Sequence, residues 1–174
     1  NINYKDTDEL GKYLYTKGLS RSGTLLNLHN LGYSKEVVLV EGMLDCLHAN
    51  AKGMNNVVAL GGTSFNARQL KLLGDAGVKT VTLCLDNDKA GKEASSKIKE
   101  LITKSGTNFT IKEITLPSAI KDPDQMIKER GIDAFRALIN EAPATTHNIN
   151  PEIKNNISNS NLASNSNKNH AILD

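Results

Sequence analysis

VVLVEGMLD, residues 37–45, places a short apolar run directly before Glu41 and a helical pattern directly after it. Three further apolar runs follow it: NVVAL at 56–60, VTLCL at 81–85 and FTIKEI at 109–114. Apolar strands that alternate with helices are typical of βαβ units, whose parallel sheet is covered on both faces. We therefore predict an α/β, Rossmann-like fold with about four parallel strands, in which the alternating run 109–114 has the character of an edge strand.

Composition divides the chain into three parts. Residues 1–35 form a basic leader that we expect to pack on the sheet edge, and residues 36–142 form the α/β domain. Residues 143–174 are rich in Asn and Ser and have no sustained apolar period, which predicts a disordered tail or linker. Within the domain, helical patterns occupy the segments 43–53, 66–77, 89–106 and 132–142.

Bulk composition limits the classes of protein that fit. The 174 residues carry a net charge of only +2, so contacts with nucleic acid would depend on local basic patches. Cys46 and Cys84 are too few for a disulfide framework, and no Cys/His cluster indicates structural zinc. No apolar stretch is long enough to span a membrane. These features predict a cytoplasmic protein with no membrane partner.

Acidic residues follow the predicted strands at the ends where ligands bind in open parallel sheets. Six of them can converge there only through the fold: Glu41, Asp45, Asp86, Asp88, Asp122 and Asp124. Grouped carboxylates repel one another unless a cation neutralises them, and ligands made only of oxygen suit Mg²⁺ or Mn²⁺. The sequence therefore predicts a divalent metal site that suits phosphoryl transfer.

Glycines support the same interpretation. Gly42 allows a sharp turn after Glu41, and Gly61 and Gly62 allow the backbone to approach a ligand closely after the second strand. Gly91 lies near the start of the third helix, whose N-terminal N–H groups favour phosphate.

These motifs, VVLVEGMLD, NVVALGGTS, LCLDNDKAG and KDPDQMI, in this order, resemble the TOPRIM domain of bacterial-type (DnaG-like) DNA primases. The resemblance extends from about residue 13 to residue 142 and includes the basic segment YLYTKGLSRSGTLLNL. A lone D-x-D is weak evidence, but the combined set is specific. The resemblance implies nucleotidyl transfer that joins nucleoside triphosphates into a primer on a single-stranded DNA template.

The resemblance also implies roles for individual residues. Glu41, Asp86 and Asp88 form the catalytic core, with Glu41 as general acid/base or metal ligand. The bound metal is Mg²⁺ or Mn²⁺, and all six acidic residues named above contribute to its site. Contacts with nucleotide or nucleic acid fall to Lys12, Lys17, Arg21, Gly61, Gly62 and Lys89. A replicative helicase is a further expected partner.

Two departures from the family pattern affect this interpretation. Asn87 stands where many primases carry Gly, which suggests a branch from a phage, plasmid or other mobile element. The zinc-ribbon domain and most of the N-terminal polymerase subdomain of a complete primase do not occur in this sequence. We therefore expect a fragment that contains the metal site but binds the template only weakly.

Other functions fit part of the pattern. A TOPRIM topoisomerase or nuclease shares the fold, although Ala90 occupies the place of the Glu in the topoisomerase D-x-D-x-E motif. A haloacid-dehalogenase-like phosphatase would use Asp86 as its nucleophile. A non-catalytic module that binds metal and nucleic acid is the third alternative. His29 and His48 are interpreted as surface or satisfied helix residues with no ligand partner.

Overall fold

The computed structural model describes residues 20–62 and 64–146. Strands and helices alternate through the fourth strand, as the apolar pattern predicts, and two consecutive helices then precede a fifth strand. The strands are β1 Glu36–Val40, β2 Val57–Ala59, β3 Thr80–Leu83, β4 Thr110–Glu113 and β5 Ala144–Thr146. The helices are α1 Met43–Ala51, α2 Ala67–Asp75, α3 Lys89–Lys104, α4 Pro123–Arg130 and α5 Ile132–Glu141.

The five strands form one sheet in the order β2-β1-β3-β4-β5. The first four strands run parallel, so the predicted architecture is confirmed. The fifth strand runs antiparallel to β4, with Lys112 opposite Ala144. The prediction that 109–114 is an edge strand is therefore wrong, because β5 covers that edge. The segment assigned to a tail also begins with a strand, and its residues 147–174 lie outside the described part of the chain.

Alternate residues of each strand face two separate cores, because successive side chains in a strand point to opposite faces. On one face, Val37 and Leu39 of β1 pack with residues of α2 and α3 such as Leu73 and Ile102. On the other face, Val38 and Val40 pack with residues of α1, α4 and α5. The sheet is thus covered on both sides, and this arrangement explains why its strands are apolar throughout.

The opposite edge of the sheet is partly covered by the segment before β1. Leu26 exchanges two backbone hydrogen bonds with Ala59, from Leu26 N–H at 3.0 Å and from Ala59 N–H at 3.2 Å. This isolated antiparallel bridge lies on β2. The division of the chain at residues 35 and 142 stays a prediction.

Side chains fix the points at which three helices begin. Asn66 accepts hydrogen bonds from the N–H groups of Arg68 and Gln69 before α2. Asp88 accepts one from Gly91 N–H before α3, and Asp122 accepts one from Gln125 N–H before α4. Because parallel strands run in one direction, the helices that follow them begin at the same rim of the sheet. No helix of the described ranges is long and apolar enough to cross a membrane.

Candidate metal centre

A cleft opens at the carboxyl ends of β1 and β3. Five of the six acidic residues predicted for the metal site line it: Glu41, Asp45, Asp86, Asp122 and Asp124. The backbone at Gly61 and Gly62 forms another part of the wall. Asp88 lies outside this cleft, in a neighbouring depression along α3 that also contains Lys89. The fold therefore brings together at one rim residues that the sequence separates widely.

Charge accumulates at this cleft. Burial raises the pKa of Glu41, and the negative charges of Asp86 and Asp88 raise it further. Burial likewise raises the pKa of Asp45 to about 6, with a contribution from Asp122 and Asp86. Neighbouring carboxylates that raise one another's pKa are stabilised by a cation. The described residues thus have the electrostatic character of a cation site.

Asp45 is buried and fixed by two backbone groups. Its Oδ2 accepts the Gly42 N–H at 3.1 Å, and its Oδ1 accepts the Asp124 N–H at 2.9 Å. The chain bends at Glu41, as predicted, but Gly42 itself has an extended backbone with φ of −88°, which does not require glycine. A Cβ at residue 42 would lie 2.5 Å from Asp45 Oδ2, so glycine is needed there to admit the carboxylate.

Asp88 and Asp122 are helix N-caps, so one carboxylate oxygen of each accepts a backbone N–H at the start of a helix. Asp124 forms a hydrogen bond with His48 and an ion pair with Lys128, and its N–H donates to Asp45. Although burial opposes the change, these two partners lower the pKa of Asp124.

In the part of the chain that the structure describes, no three acidic, histidine or cysteine side chains are arranged to hold a metal ion together. The donor set still fits a hard cation, because its oxygens are all carboxylate and are held near one another at a rim of positive helix ends. Mg²⁺ characteristically keeps several water ligands and therefore needs few protein ligands.

The structure describes only some of the residues that were predicted to contact nucleotide. Lys12 and Lys17 lie outside the described residues, and for Arg21 only the backbone is described, in a short 3₁₀ turn. Gly61 and Gly62 both have left-handed backbones, with φ of 67° and 73°, a conformation that favours glycine. The Lys89 side chain is 93% exposed and lies 3.9 Å from Glu93.

Sequence reasoning missed three contributions to this rim. Lys121 lines the cleft and brings a positive charge next to Asp122. Asn87 donates side-chain hydrogen bonds to the carbonyls of Leu116, Pro117 and Ile120 and so ties the loop after β4 to the loop after β3. These three carbonyls lie in a loop, and nothing in the sequence indicates that Asn87 would contact them.

His48 is the third missed contribution. It lies one helical turn after Asp45 on α1, and its Nδ1 is 2.8 Å from Asp124 Oδ1 on α4. The spacing of Asp45 and His48 on one helix face was visible in the sequence. The partner was not, since Asp124 follows 76 residues later.

Comparison with known proteins agrees with this geometry. A family model described as Toprim-like matches residues 38–127. The DNA primase of Clostridium acetobutylicum is 34% identical over 143 residues, which are 78% of this chain and 23% of that protein. The DNA primase of Staphylococcus aureus is 36% identical over 104 residues, which are 60% of this chain and 17% of that protein. The chain thus spans about a quarter or less of these relatives.

Two solved structures share the fold. A primase from Aquifex aeolicus, solved with its zinc-binding and RNA polymerase domains, is 29% identical with a TM-score of 0.66. The match covers 76% of this chain and 33% of that one. A DNA primase domain from Pseudomonas aeruginosa is 28% identical with a TM-score of 0.69, covering 80% of this chain and 45% of that one. With its motifs in order, its four parallel strands and its acidic rim, the chain belongs to the Toprim-like family.

Proposed function

We propose that this chain is the metal-binding part of a DNA primase, and that it takes part in joining nucleoside triphosphates into a primer on single-stranded DNA. The curated relatives described above are DNA primases, and the two solved structures are primase domains. Because the chain spans only a fraction of their length, the remaining catalytic parts come from sequence outside the aligned region.

The observation that carries the proposal is the position of Glu41. Its carboxylate follows β1 directly, lines the cleft with Asp86, and has its pKa raised by burial and by Asp86 and Asp88. A carboxylate whose pKa is raised in this way is stabilised either by a bound cation or by a proton. Both roles serve phosphoryl transfer at the same place.

Primases of this family generally depend on a divalent metal. We propose Mg²⁺ or Mn²⁺, held mainly by Glu41, Asp86 and Asp88. When bound, the ion supplies positive charge between the carboxylates and substrate phosphates. Asp45, Asp122 and Asp124 complete the acidic surroundings, and Asp45 contributes a charge that is fully developed only above its raised pKa of about 6.

Substrate phosphates meet both backbone and side-chain donors at the cleft. The left-handed Gly61 and Gly62 carry no side chains between the backbone and a ligand. Lys121 lines the cleft, and Lys89 extends into solvent beside Asp88. Lys12, Lys17 and Arg21 are proposed to contact template or nucleotide phosphate, as the family resemblance implies.

Single-stranded DNA is the proposed template. A related primase catalytic domain, 27% identical with a TM-score of 0.67, has been solved bound to single-stranded DNA. A replicative helicase is a further proposed partner, and a cytoplasmic location stays a prediction.

The test is template-dependent incorporation of nucleoside triphosphates by the longest natural polypeptide that contains this chain. We expect Glu41→Gln and Asp86→Asn each to lower the rate on the order of 100-fold or more, because each removes a charge at the reacting phosphates. Two carboxylates away from the cleft provide matched controls. Glu36→Gln lies at the other end of β1, and Asp75→Asn lies on α2 beside Lys71. Full activity in both cleft variants would overturn the proposal.

A second function has specific support. The described residues contain no preformed group of three ligands, and this agrees with a module that binds nucleic acid and metal weakly without catalysis. Mn²⁺ binding by this chain, combined with normal primer synthesis by Glu41→Gln in the longer polypeptide, would favour that module. The phosphatase alternative is not carried forward, because the chain belongs to the Toprim-like family.

A further inference from the structure

A chain of hydrogen bonds runs behind the acidic cleft and joins α1 to α4. It begins at His48, whose Nδ1 lies 2.8 Å from Asp124 Oδ1. Asp124 in turn donates its N–H to Asp45 Oδ1 at 2.9 Å, and Asp45 Oδ2 accepts the Gly42 N–H at 3.1 Å. The Gly42 N–H belongs to the peptide bond with Glu41, so the series ends next to the residue on which the proposed function depends.

The first bond of this series is shielded from solvent. The side chains of His48 and Asp124 are 23% and 20% exposed, whereas that of Lys128, the other partner of Asp124, is 63% exposed. A hydrogen bond between two largely covered groups is stronger and better defined than an ion pair in solvent. His48 holds Asp124 Oδ1 from the covered side, whereas the more exposed Lys128 contacts Oδ2.

The bond needs no charge on the imidazole. A neutral His48 with its proton on Nδ1 donates to the Asp124 carboxylate, and the geometry of the pair selects that tautomer. The arrangement parallels the hydrogen bonds by which residues outside a metal's ligand set orient the ligands themselves.

We propose that His48 is a positioning residue. It fixes Asp124 at the start of α4, and through the Asp124 N–H it fixes Asp45, so that cation affinity at the cleft depends on a side chain that touches no cation. This inference rests on the proposed function, since it concerns the same acidic site.

The position of His48 on α1 supports a role in orienting Asp124 rather than that of an ordinary surface residue. His48 follows Asp45 by three residues, so both lie on the face of α1 that packs against α4. The next residues on the exposed side of α1, Leu44 and Leu47, are each 53% exposed and form no part of the network.

The test measures Mn²⁺ binding to the full 174-residue chain by electron paramagnetic resonance. We expect His48→Ala to weaken Mn²⁺ binding about 10-fold, the lower end of the range for residues that orient metal ligands. We expect His48→Asn to retain most of the affinity, because the Asn side-chain N–H₂ can donate to Asp124 from nearly the same place. His29→Ala, in an exposed 3₁₀ turn, is the matched control and is expected to bind as the wild type does.

A second measurement needs no metal. The Asp124 amide proton, bonded to Asp45, is followed by NMR hydrogen exchange, and we expect His48→Ala to speed its exchange while His48→Asn preserves its protection. Urea unfolding of each variant without metal identifies any variant that fails to fold, and His48→Asn then carries the comparison.

The outcomes separate the two proposals. A wild-type chain that binds Mn²⁺ no better than a Glu41→Gln variant overturns the proposed function. A wild type that binds Mn²⁺, together with a folded His48→Ala of equal affinity, overturns only the role of His48. An unchanged Asp124 amide in folded His48→Ala overturns that role whether or not Mn²⁺ binds.

Discussion

Both ends of β1 carry a glutamate, and their surroundings are opposite in character. At the amino end, Glu36 accepts a hydrogen bond from Lys112 Nζ at 3.0 Å, so a cation built into the sheet balances its charge. Just beyond the carboxyl end, Glu41 has its pKa raised by burial and by the charges of Asp86 and Asp88. The first carboxylate is balanced within the fold, whereas the second gains from a cation that arrives from solution.

The difference follows from the direction of the strands. Helices α1, α3 and α4 all begin at the carboxyl rim, and their N-terminal N–H groups favour negative charge. Asp45, Asp88 and Asp122 each accept a hydrogen bond from such a group. These hydrogen bonds lower the free-energy cost of placing several carboxylates together at the rim. The resulting group of negative charges gives this end of the sheet the character of a cation site.

The largest expected effect comes from disrupting the carboxyl end itself. A Cβ at residue 91 would lie 2.1 Å from the backbone oxygen of Asp86, so Gly91→Ala must displace the loop or α3. We expect a loss of roughly 3 kcal/mol or more in the free energy of unfolding. Gly74→Ala in α2 is the matched control, because a Cβ there meets nothing within 4 Å.

Urea unfolding measures both glycine variants. We expect Gly74→Ala to gain roughly 0.5–1 kcal/mol from helix propensity, opposite in sign to Gly91→Ala. Equal stability of the two variants would show that the close approach at Asp86 is not a constraint on the folded protein.

The next effect concerns pH and Asp45. Its folded pKa of about 6 lies above the ordinary value of 3.8, so the folded state binds the proton more tightly than the unfolded state. The stability that this group contributes is full below pH 3.8 and is lost as pH rises through about 6. In Asp45→Asn this loss disappears.

The measurement is the difference in unfolding free energy between Asp45→Asn and wild type at pH 4 and at pH 7.5, without metal. We expect the difference to shift in favour of the variant by as much as about 3 kcal/mol over that range. Asp75→Asn, on the exposed pair with Lys71, serves as control. A difference that does not change with pH would contradict the crowding of charge at the cleft.

The smallest effect is expected at the amino end. Lys112→Met removes the cation from Glu36, in a pair whose side chains are 21% and 34% exposed. Thr82 Oγ1 still donates to the same Glu36 oxygen when Lys112 is replaced, so we expect a loss of only about 0.5–1 kcal/mol in urea unfolding. We also expect Mn²⁺ affinity to stay at the wild-type value. A large change in that affinity would show that the two ends of β1 are coupled.

Much of the fold followed from local pattern. The runs at 37–40, 56–60, 81–85 and 109–114 each overlap a strand of the sheet, because apolar β-branched residues suit a sheet buried on both faces. The strand at 144–146 escaped prediction, since it is three residues long and lies where composition turns polar. Its pairing with β4 supplies hydrogen bonds that local sequence does not reveal.

The candidate site likewise has features that the sequence predicted and features that it did not. Glu41 and Asp86 were predictable because each follows an apolar strand, and the rule that ligands bind at carboxyl ends then places them together. The commitments of Asp124 were not predictable, because His48 and Asp45 lie 76 and 79 residues away in the chain. The close approach of the Asp45 carboxylate to Gly42 was not predictable either, because it depends on how the Asp45 side chain folds back towards the start of its helix.

By itself, the sequence determined the four parallel strands, most of the helices, the carboxylates that follow the strands, and the family to which the motifs point. These properties depend on side-chain periodicity and on residues that are neighbours along the chain. The tertiary structure alone decided that β5 closes the sheet edge, that Asn87 ties two loops together and that His48 meets Asp124. Such contacts depend on strand order and on the packing of α1 against α4, which bring distant segments within hydrogen-bonding distance.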